Sequence, residues 1–270
     1  MDHGVFTTAR LLQLGATASQ IRRAVRVGDL ARLRPGWYAR ADADPAVVAA
    51  VRTGGVLGCV SALRAHGAWV APGHDSLHIR TSKSLRGSVS RSCRGDGPPA
   101  PTEYAVDPVD VALGCALRCM TDEHWIAACD SVLESGLAHR ADIVSVLGPR
   151  GRKLLDKCDE RSQSGTESLV RVRLRALNFA VIVQPRIAGV GRVDLRVGRL
   201  LIECDSKSHH TSLENYQKDR HRDRNALVRG WLKMRLTDDD TLFGWEESLE
   251  AIRGVTLPER HRIRGRDRPW

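Results

Sequence analysis

The chain has 270 residues and carries 42 lysines and arginines against 32 aspartates and glutamates, a formal charge of +10. That length suits one large domain or two to three small ones, and a composition 42% hydrophobic and 27% charged excludes a disordered chain. No apolar run approaches the roughly 18–20 residues that span a bilayer, the start Met1-Asp2-His3-Gly4 lacks the pattern of a secretory signal, and seven irregularly spaced cysteines argue against a disulfide framework, so a soluble cytoplasmic protein is expected.

The charge is uneven: +8 over residues 1–100, −5 over 101–160 and +7 over 161–270. Two basic blocks flanking an acidic middle suggest two surfaces that face a polyanion. Residues 7–40 read as helix, helix, hairpin. Thr7 or Thr8 caps a short helix carrying Leu11, Leu12 and Leu14, and Gly15 ends it. Thr17 or Ser19 caps a second helix with Ile21, Ala24 and Val25 as its apolar stripe. Arg22, Arg23 and Arg26 lie off that stripe. Leu30–Leu33 and Trp37–Ala39 follow as strands joined through Arg34-Pro35-Gly36. This is the local plan of a winged helix-turn-helix, in which the second helix enters the major groove and the wing touches phosphates.

The run Val5-Phe6-Thr7-Thr8, Gly15, Ser19-Gln20-Ile21-Arg22-Arg23, Gly28-Asp29-Leu30 and Arg34-Pro35-Gly36-Trp37-Tyr38 resembles the N-terminal domain of AbiEi-type antitoxins and their transcriptional-regulator relatives. Val60-Ser61-Ala62-Leu63-Arg64-Ala65-His66-Gly67 extends the likeness more weakly into the middle of the chain. The resemblance implies DNA binding by Arg22, Arg23, Arg26, Arg32 and Arg34, with a cognate toxin or regulatory protein as a further partner. The plain alternative is a helical adaptor with an arginine-rich solvated face.

Residues 45–160 read as helices at Ala46–Val51, Ser61–His66, Pro108–Met120, Asp122–Ser135 and Arg140–Leu147, with strands at Leu77–Arg80 and Ser88–Ser92 and a loop over Gly95–Pro101. Cys115, Cys119 and Cys129 have no finger spacing and read as buried thiols, and His74, His78 and His124 fall into no pattern. The block 150–164 reads as a polar linker. The domains expected are therefore 1–42, 43–160 and 161–270.

The last block orders its elements αβββαβα. A Ser164/Glu167 capping box starts a helix through Leu177, followed by a strand at Val181–Val183. Residues 192–197 and 199–204 form a hairpin around Gly198. Leu213–Arg229 is a long helix, Trp231–Leu236 a strand, and Asp238–Ile252 a closing helix. The hairpin sets Asp194 close to Glu203. Two facing carboxylates repel, and a divalent cation relieves that repulsion. Oxygen ligands of this kind suit Mg²⁺ or Mn²⁺, which activate water and stabilise charge on a phosphodiester.

Arg192-Val193-Asp194-Leu195, then Leu201-Ile202-Glu203-Cys204-Asp205, then His209-His210, with Asp219, Arg222, Asp223, Leu227 and Gly230-Trp231 behind them, resemble the PD-(D/E)XK nuclease fold in its very-short-patch-repair (Vsr)-like branch. The resemblance implies Asp194, Glu203 and the Cys204 carbonyl as metal ligands, with Glu167 as the first-helix glutamate. Asp205 stands where the general motif has lysine, and the glycine usual in this branch is replaced by Ser206. Asp205 is then expected to touch metal or water. His209 or His210 would transfer a proton or contact phosphate. Lys207 or Lys218 would stand in for the missing lysine. Lys207 and Arg222 are candidate DNA contacts. The competing assignment pairs Asp194 with Arg192 or Arg196 and Glu203 with Lys207, with no site at all.

The expected whole is an α+β protein: an N-terminal winged helix-turn-helix, a mixed middle region and a C-terminal PD-(D/E)XK domain. Its expected activity is metal-dependent endonucleolytic cleavage of DNA, in phage defence or in repair. A non-enzymatic regulator or antitoxin with an inert nuclease-like domain is the second reading, and an RNA-directed nuclease or toxin the third.

Overall fold

The computed structural model describes residues 3–81, 92–94, 104–205 and 213–256, with residues 213–219 described by their backbone alone. The chain divides into two compact units, Met1–Asp156 and Lys157–Trp270. Lys207, His209, His210, the side chain of Lys218, all but Ser92 of the strand expected at Ser88–Ser92 and the arginine-rich tail at 260–268 lie outside the described residues.

The first unit opens with β1 (Val5–Thr7), α1 (Thr8–Gln13), α2 (Ala18–Val27), β2 (Leu30–Arg34) and β3 (Trp37–Arg40). Thr7 caps α1 by accepting from the Arg10 N–H at 3.1 Å. Thr17 and Gln20 form a reciprocal capping box on α2, and Gly28, at φ 89°, closes that helix in the left-handed region. Phe6, Leu11 and Ile21 pack together, with Leu30 and Tyr38 against them. Of the three leucines expected on this helix, Leu11 is buried while Leu12 and Leu14 are exposed. β1 was not legible in the sequence, because Val5-Phe6-Thr7 is too short to show a period. It becomes a strand because β3 offers an open edge, with Val5 opposite Ala39 and Thr7 opposite Trp37.

The remainder of this unit comprises α3 (Pro45–Arg52), β4 (Val56–Leu57), α4 (Cys59–Ala65), β5 (Ile79–Arg80), α5 (Val109–Ala116), α6 (Asp122–Glu134), α7 (Arg140–Val146) and α8 (Pro149–Leu155). Trp125 is fully buried and its indole N–H donates to the Leu113 carbonyl at 2.9 Å. Arg80 and Asp107, both buried, make a two-pronged ion pair at 2.7 and 2.6 Å. Helix α8 corrects the linker expected over 150–164. Gly151, Leu154 and Leu155 recur at helical spacing and are buried, a stripe masked in the sequence by Arg150, Arg152 and Lys153.

The second unit contains α9 (Gly165–Ala176), β6 (Val181–Val183), β7 (Arg186–Ile187), β8 (Gly191–Arg192), β9 (Leu195–Val197), β10 (Leu200–Asp205), α10 (Leu213–Val228), β11 (Leu232–Thr237), α11 (Asp238–Leu242) and α12 (Trp245–Thr256). The main sheet has the order β11-β10-β9-β6, with β10 parallel to β11 and antiparallel to β9. The parallel pair needs a crossover, which α10 supplies. Val181, Val183, Leu195, Val197, Leu200 and Ile202 form one sheet face, packed on Val170 and Leu174 of α9 and on Leu249 and Ile252 of α12. Leu201 turns to the other face, where it meets Ile187, Val190, Val193 and Ala226 of α10.

Two boundaries differ from the expectation. Residues 192–197 are not one strand: Arg192 belongs to the small β7–β8 hairpin opposite Arg186, and the strand that faces β10 starts at Leu195. The closing helix is two helices, interrupted at Phe243-Gly244.

Candidate functional site

In the first unit, Ile21 is buried while Arg22, Arg23 and Arg26 are exposed along α2, and Arg32 is exposed on β2. Among the described residues none of these four makes an ion pair, so their charge is available to a polyanion. Arg34 differs. Its guanidinium donates to the carbonyls of Gly54 at 2.7 Å and Gly55 at 3.2 Å, and it lies 4.9 Å from the centre of the Trp37 ring. Burial pulls its pKa below the ordinary arginine value. Arg34, expected to contact DNA, therefore ties the hairpin to the segment after α3. A β-bulge between Arg32 and Arg34 separates the two roles.

In the second unit, the β9–β10 register sets Leu195 opposite Ile202. The ladder ends there: Asp194 lies at a bend just before β9, while Glu203 continues β10. Asp194 accepts from the Cys204 backbone N–H at 2.8 Å and from Gln184 Nε2 at 3.2 Å. The same Gln184 amide donates to Glu167 Oε1 at 3.0 Å, so a single NH₂ group joins two carboxylates. Gln184 sits at φ 50°, a left-handed conformation uncommon for a side-chain-bearing residue, and its Oε1 is buried without a hydrogen bond.

Glu167 fulfils half of the expected capping box. Its N–H donates to Ser164 Oγ at 3.1 Å, while its carboxylate turns to the Gln163 N–H at 2.9 Å and to Gln184. Burial, with a smaller contribution from the Asp194 charge, pushes the Glu167 carboxyl up to about 7 against the hydrogen bonds it accepts. Burial likewise pushes the Cys204 thiol well up.

Glu203 is surrounded by cations: Lys233 Nζ at 2.9 Å, Arg235 Nε at 3.4 Å and Arg222 at 3.5 Å. Asp205 is exposed, 3.8 Å from Arg235. Asp223 pairs with Lys233 and lies 3.6 Å from Arg235. Arg222, expected to contact DNA, donates to the carbonyls of Val190, at 2.7 Å, and Arg192, so it anchors α10 to the β7–β8 hairpin. Asp194 pairs with neither Arg192 nor Arg196 among the described residues, which removes half of the competing structural assignment. The three carboxylates do not draw their oxygens into one tight group. The neutral Gln184 amide bridges Glu167 and Asp194, and Lys233 neutralises Glu203.

Lys233 and Gln184 were missed in the sequence. Lys233 comes from the strand beyond the crossover helix, opposite Leu201 and two register steps before the Glu203↔Arg235 pair. The one signal for Gln184 was a polar residue directly after an apolar β run.

A second constellation was also missed. Among the described residues, one ligand atom from each of Cys59, His78, Cys93 and Cys119 lies within 4.8 Å of the others. Cys115 and Cys129 are buried outside this group, as expected of isolated thiols, whereas Cys119 belongs to it.

Residues 1–41 match a protein family described as transcriptional regulator, AbiEi antitoxin. No curated protein and no solved structure matches the chain. Among the described residues no helix is long and apolar enough to cross a membrane.

Proposed function

We propose that the first unit binds DNA through a winged helix-turn-helix and that the second is a Vsr-like PD-(D/E)XK domain acting as a metal-dependent endodeoxyribonuclease. The observation that carries the nuclease reading is the joining of Glu167 to Asp194 through Gln184, with Asp194 also accepting from the Cys204 N–H of β10. In donor type the residues suit a hard divalent cation, although their oxygens do not converge on one point. The donors are carboxylate oxygens, and the buried Gln184 Oε1 is an acceptor in want of a partner. Asp194, Glu203 and the Cys204 carbonyl would hold Mg²⁺ or Mn²⁺, which supplies Lewis-acid charge stabilisation and an activated water.

The chain's own groups do the rest. Gln184 orients Asp194 and Glu167. Lys233, beside Glu203, takes the part of the lysine that Asp205 displaces and presents an ammonium to a phosphate oxygen. Glu167, titrating near neutrality, can hold or release a proton at its carboxyl group. His209 or His210 transfers a proton or contacts phosphate, Asp205 contacts water, and Lys207 and Lys218 face the DNA backbone. In the first unit Arg22, Arg23 and Arg26 face the groove and Arg32 the backbone.

A second reading is a DNA-binding regulator of antitoxin type, with a cognate toxin as partner and an inert second unit. It is favoured by the cations that already neutralise Glu203. Purified protein incubated with supercoiled and linear DNA in Mg²⁺, Mn²⁺ or chelator separates the two. Metal-dependent nicking that Asp194→Ala abolishes, with DNA affinity retained, supports the nuclease. DNA binding without cleavage in either metal sinks it and leaves the regulator.

A further inference from the structure

The group of Cys59, His78, Cys93 and Cys119 is assembled from four separate places in the first unit. Cys59 is the first residue of α4, His78 precedes β5, Cys93 lies in the short segment bridged to β5, and Cys119 follows α5. Backbone bonds hold these places together. The Cys93 N–H donates to the Ile79 carbonyl at 2.8 Å, the Gly58 N–H to the His78 carbonyl at 3.0 Å, and the Cys119 N–H to the Ala116 carbonyl at 2.9 Å. The His78 N–H donates to Ser61 Oγ at 2.9 Å, which ties His78 to α4. Cys59 itself sits at φ 53°, a conformation that a cysteine adopts against its own preference.

The distances are those of coordination. Cys93 Sγ lies 3.9 Å from Cys119 Sγ and 3.4 Å from His78 Nδ1. With metal–sulfur bonds of about 2.3 Å and metal–nitrogen bonds of about 2.0 Å, a tetrahedral ion sets S···S edges near 3.8 Å and S···N edges near 3.5 Å. The observed edges agree with both. A disulfide needs sulfur atoms roughly 2.05 Å apart, far closer than these. The imidazole is oriented for the purpose, since Nδ1 faces the thiols while Nε2 lies 3.2 Å from Ser76 Oγ. Such a hydrogen bond on the far nitrogen fixes the ring and the tautomer of a metal-bound histidine.

We propose that Cys59, His78, Cys93 and Cys119 form a structural zinc(II) site with three sulfur ligands and one nitrogen ligand. Four protein ligands close the tetrahedron and leave no position for substrate, which makes the site structural and separates it from the carboxylates of the second unit. Thiolate and imidazole select zinc over the magnesium or manganese that carboxylates prefer.

The test uses the full chain, purified under reducing conditions without a metal-affinity tag and analysed for metal by mass spectrometry. One zinc per chain is expected, with X-ray absorption reporting three sulfurs and one nitrogen. Replacement of zinc by cobalt(II) should give the intense visible bands of a tetrahedral ion and thiolate-to-cobalt charge transfer. Cys93→Ser, Cys119→Ser and His78→Ala should each lose the metal, while Cys158→Ala and Asp194→Ala keep it. Should those ligand variants fail to fold, the absorption and cobalt spectra of the unaltered chain decide by themselves. Fewer than about one zinc per ten chains after incubation with excess zinc, an oxygen-dominated shell, or a Cys93–Cys119 disulfide in the freshly reduced protein overturns the proposal.

Discussion

Glu167 couples the stability of the second unit to pH, and Glu167→Gln isolates that coupling. The carboxyl is 1% exposed and its pKa rises from 4.5 to about 7, chiefly through burial. A raised pKa means that the folded state keeps a proton the unfolded state has lost. Below 4.5 both states are protonated and Glu167 carries no penalty. As pH climbs from 4.5 towards 7, folding loses stability, and above 7 the loss is complete. At roughly 1.4 kcal/mol per pKa unit, that interval amounts to about 3 kcal/mol. Glutamine does not titrate, so its variant lacks this term, although it pays a constant cost for facing two N–H donors with a single oxygen. The measurement is urea unfolding of both proteins with chelator present, at pH 5 and at pH 8. Hydrogen exchange of peptides from α9 and β10 reports the second unit. The difference between wild type and variant should move by about 3 kcal/mol in the variant's favour from pH 5 to pH 8. Parallel profiles would refute the assignment of a buried, near-neutral carboxyl to Glu167.

Three other outcomes follow from the geometry. Arg22→Ala, Arg23→Ala and Arg26→Ala should each weaken DNA binding and reduce its salt slope by about one, whereas Arg34→Ala should cost about 2 kcal/mol of stability with the slope unchanged; salt titrations of affinity and thermal melts check both. Arg80→Ala leaves Asp107 buried and unpaired and should cost about 3–5 kcal/mol in urea unfolding of the first unit, and a loss under 1 kcal/mol would contradict the buried pair. Lys233→Met should slow metal-dependent cleavage roughly a hundredfold without altering DNA affinity, measured as single-turnover rates beside equilibrium binding.

Part of this protein was legible residue by residue. Thr17, Gln20 and Gly28 delimit α2 through bonds that close within one helical turn, so Arg22, Arg23 and Arg26 could be placed on its open face without tertiary information. A tight turn at Gly198 sets the β9–β10 register, from Leu200 opposite Val197 to Ile202 opposite Leu195. Caps, helical period and tight turns are local, and the sequence by itself determines them.

What lay beyond one element was decided only in the fold. Arg32 and Arg34 look alike in the sequence, yet a bulge exposes one and gives the other to the Gly54 and Gly55 carbonyls. Lys233 reaches Glu203 because a crossover helix returns β11 alongside β10, and no spacing rule foretells a partner across a helix of that length. Cys59, His78, Cys93 and Cys119 show no finger spacing for the same reason. Their proximity is a property of packed strands and helix ends, created by burying a core, and the chain order does not record it.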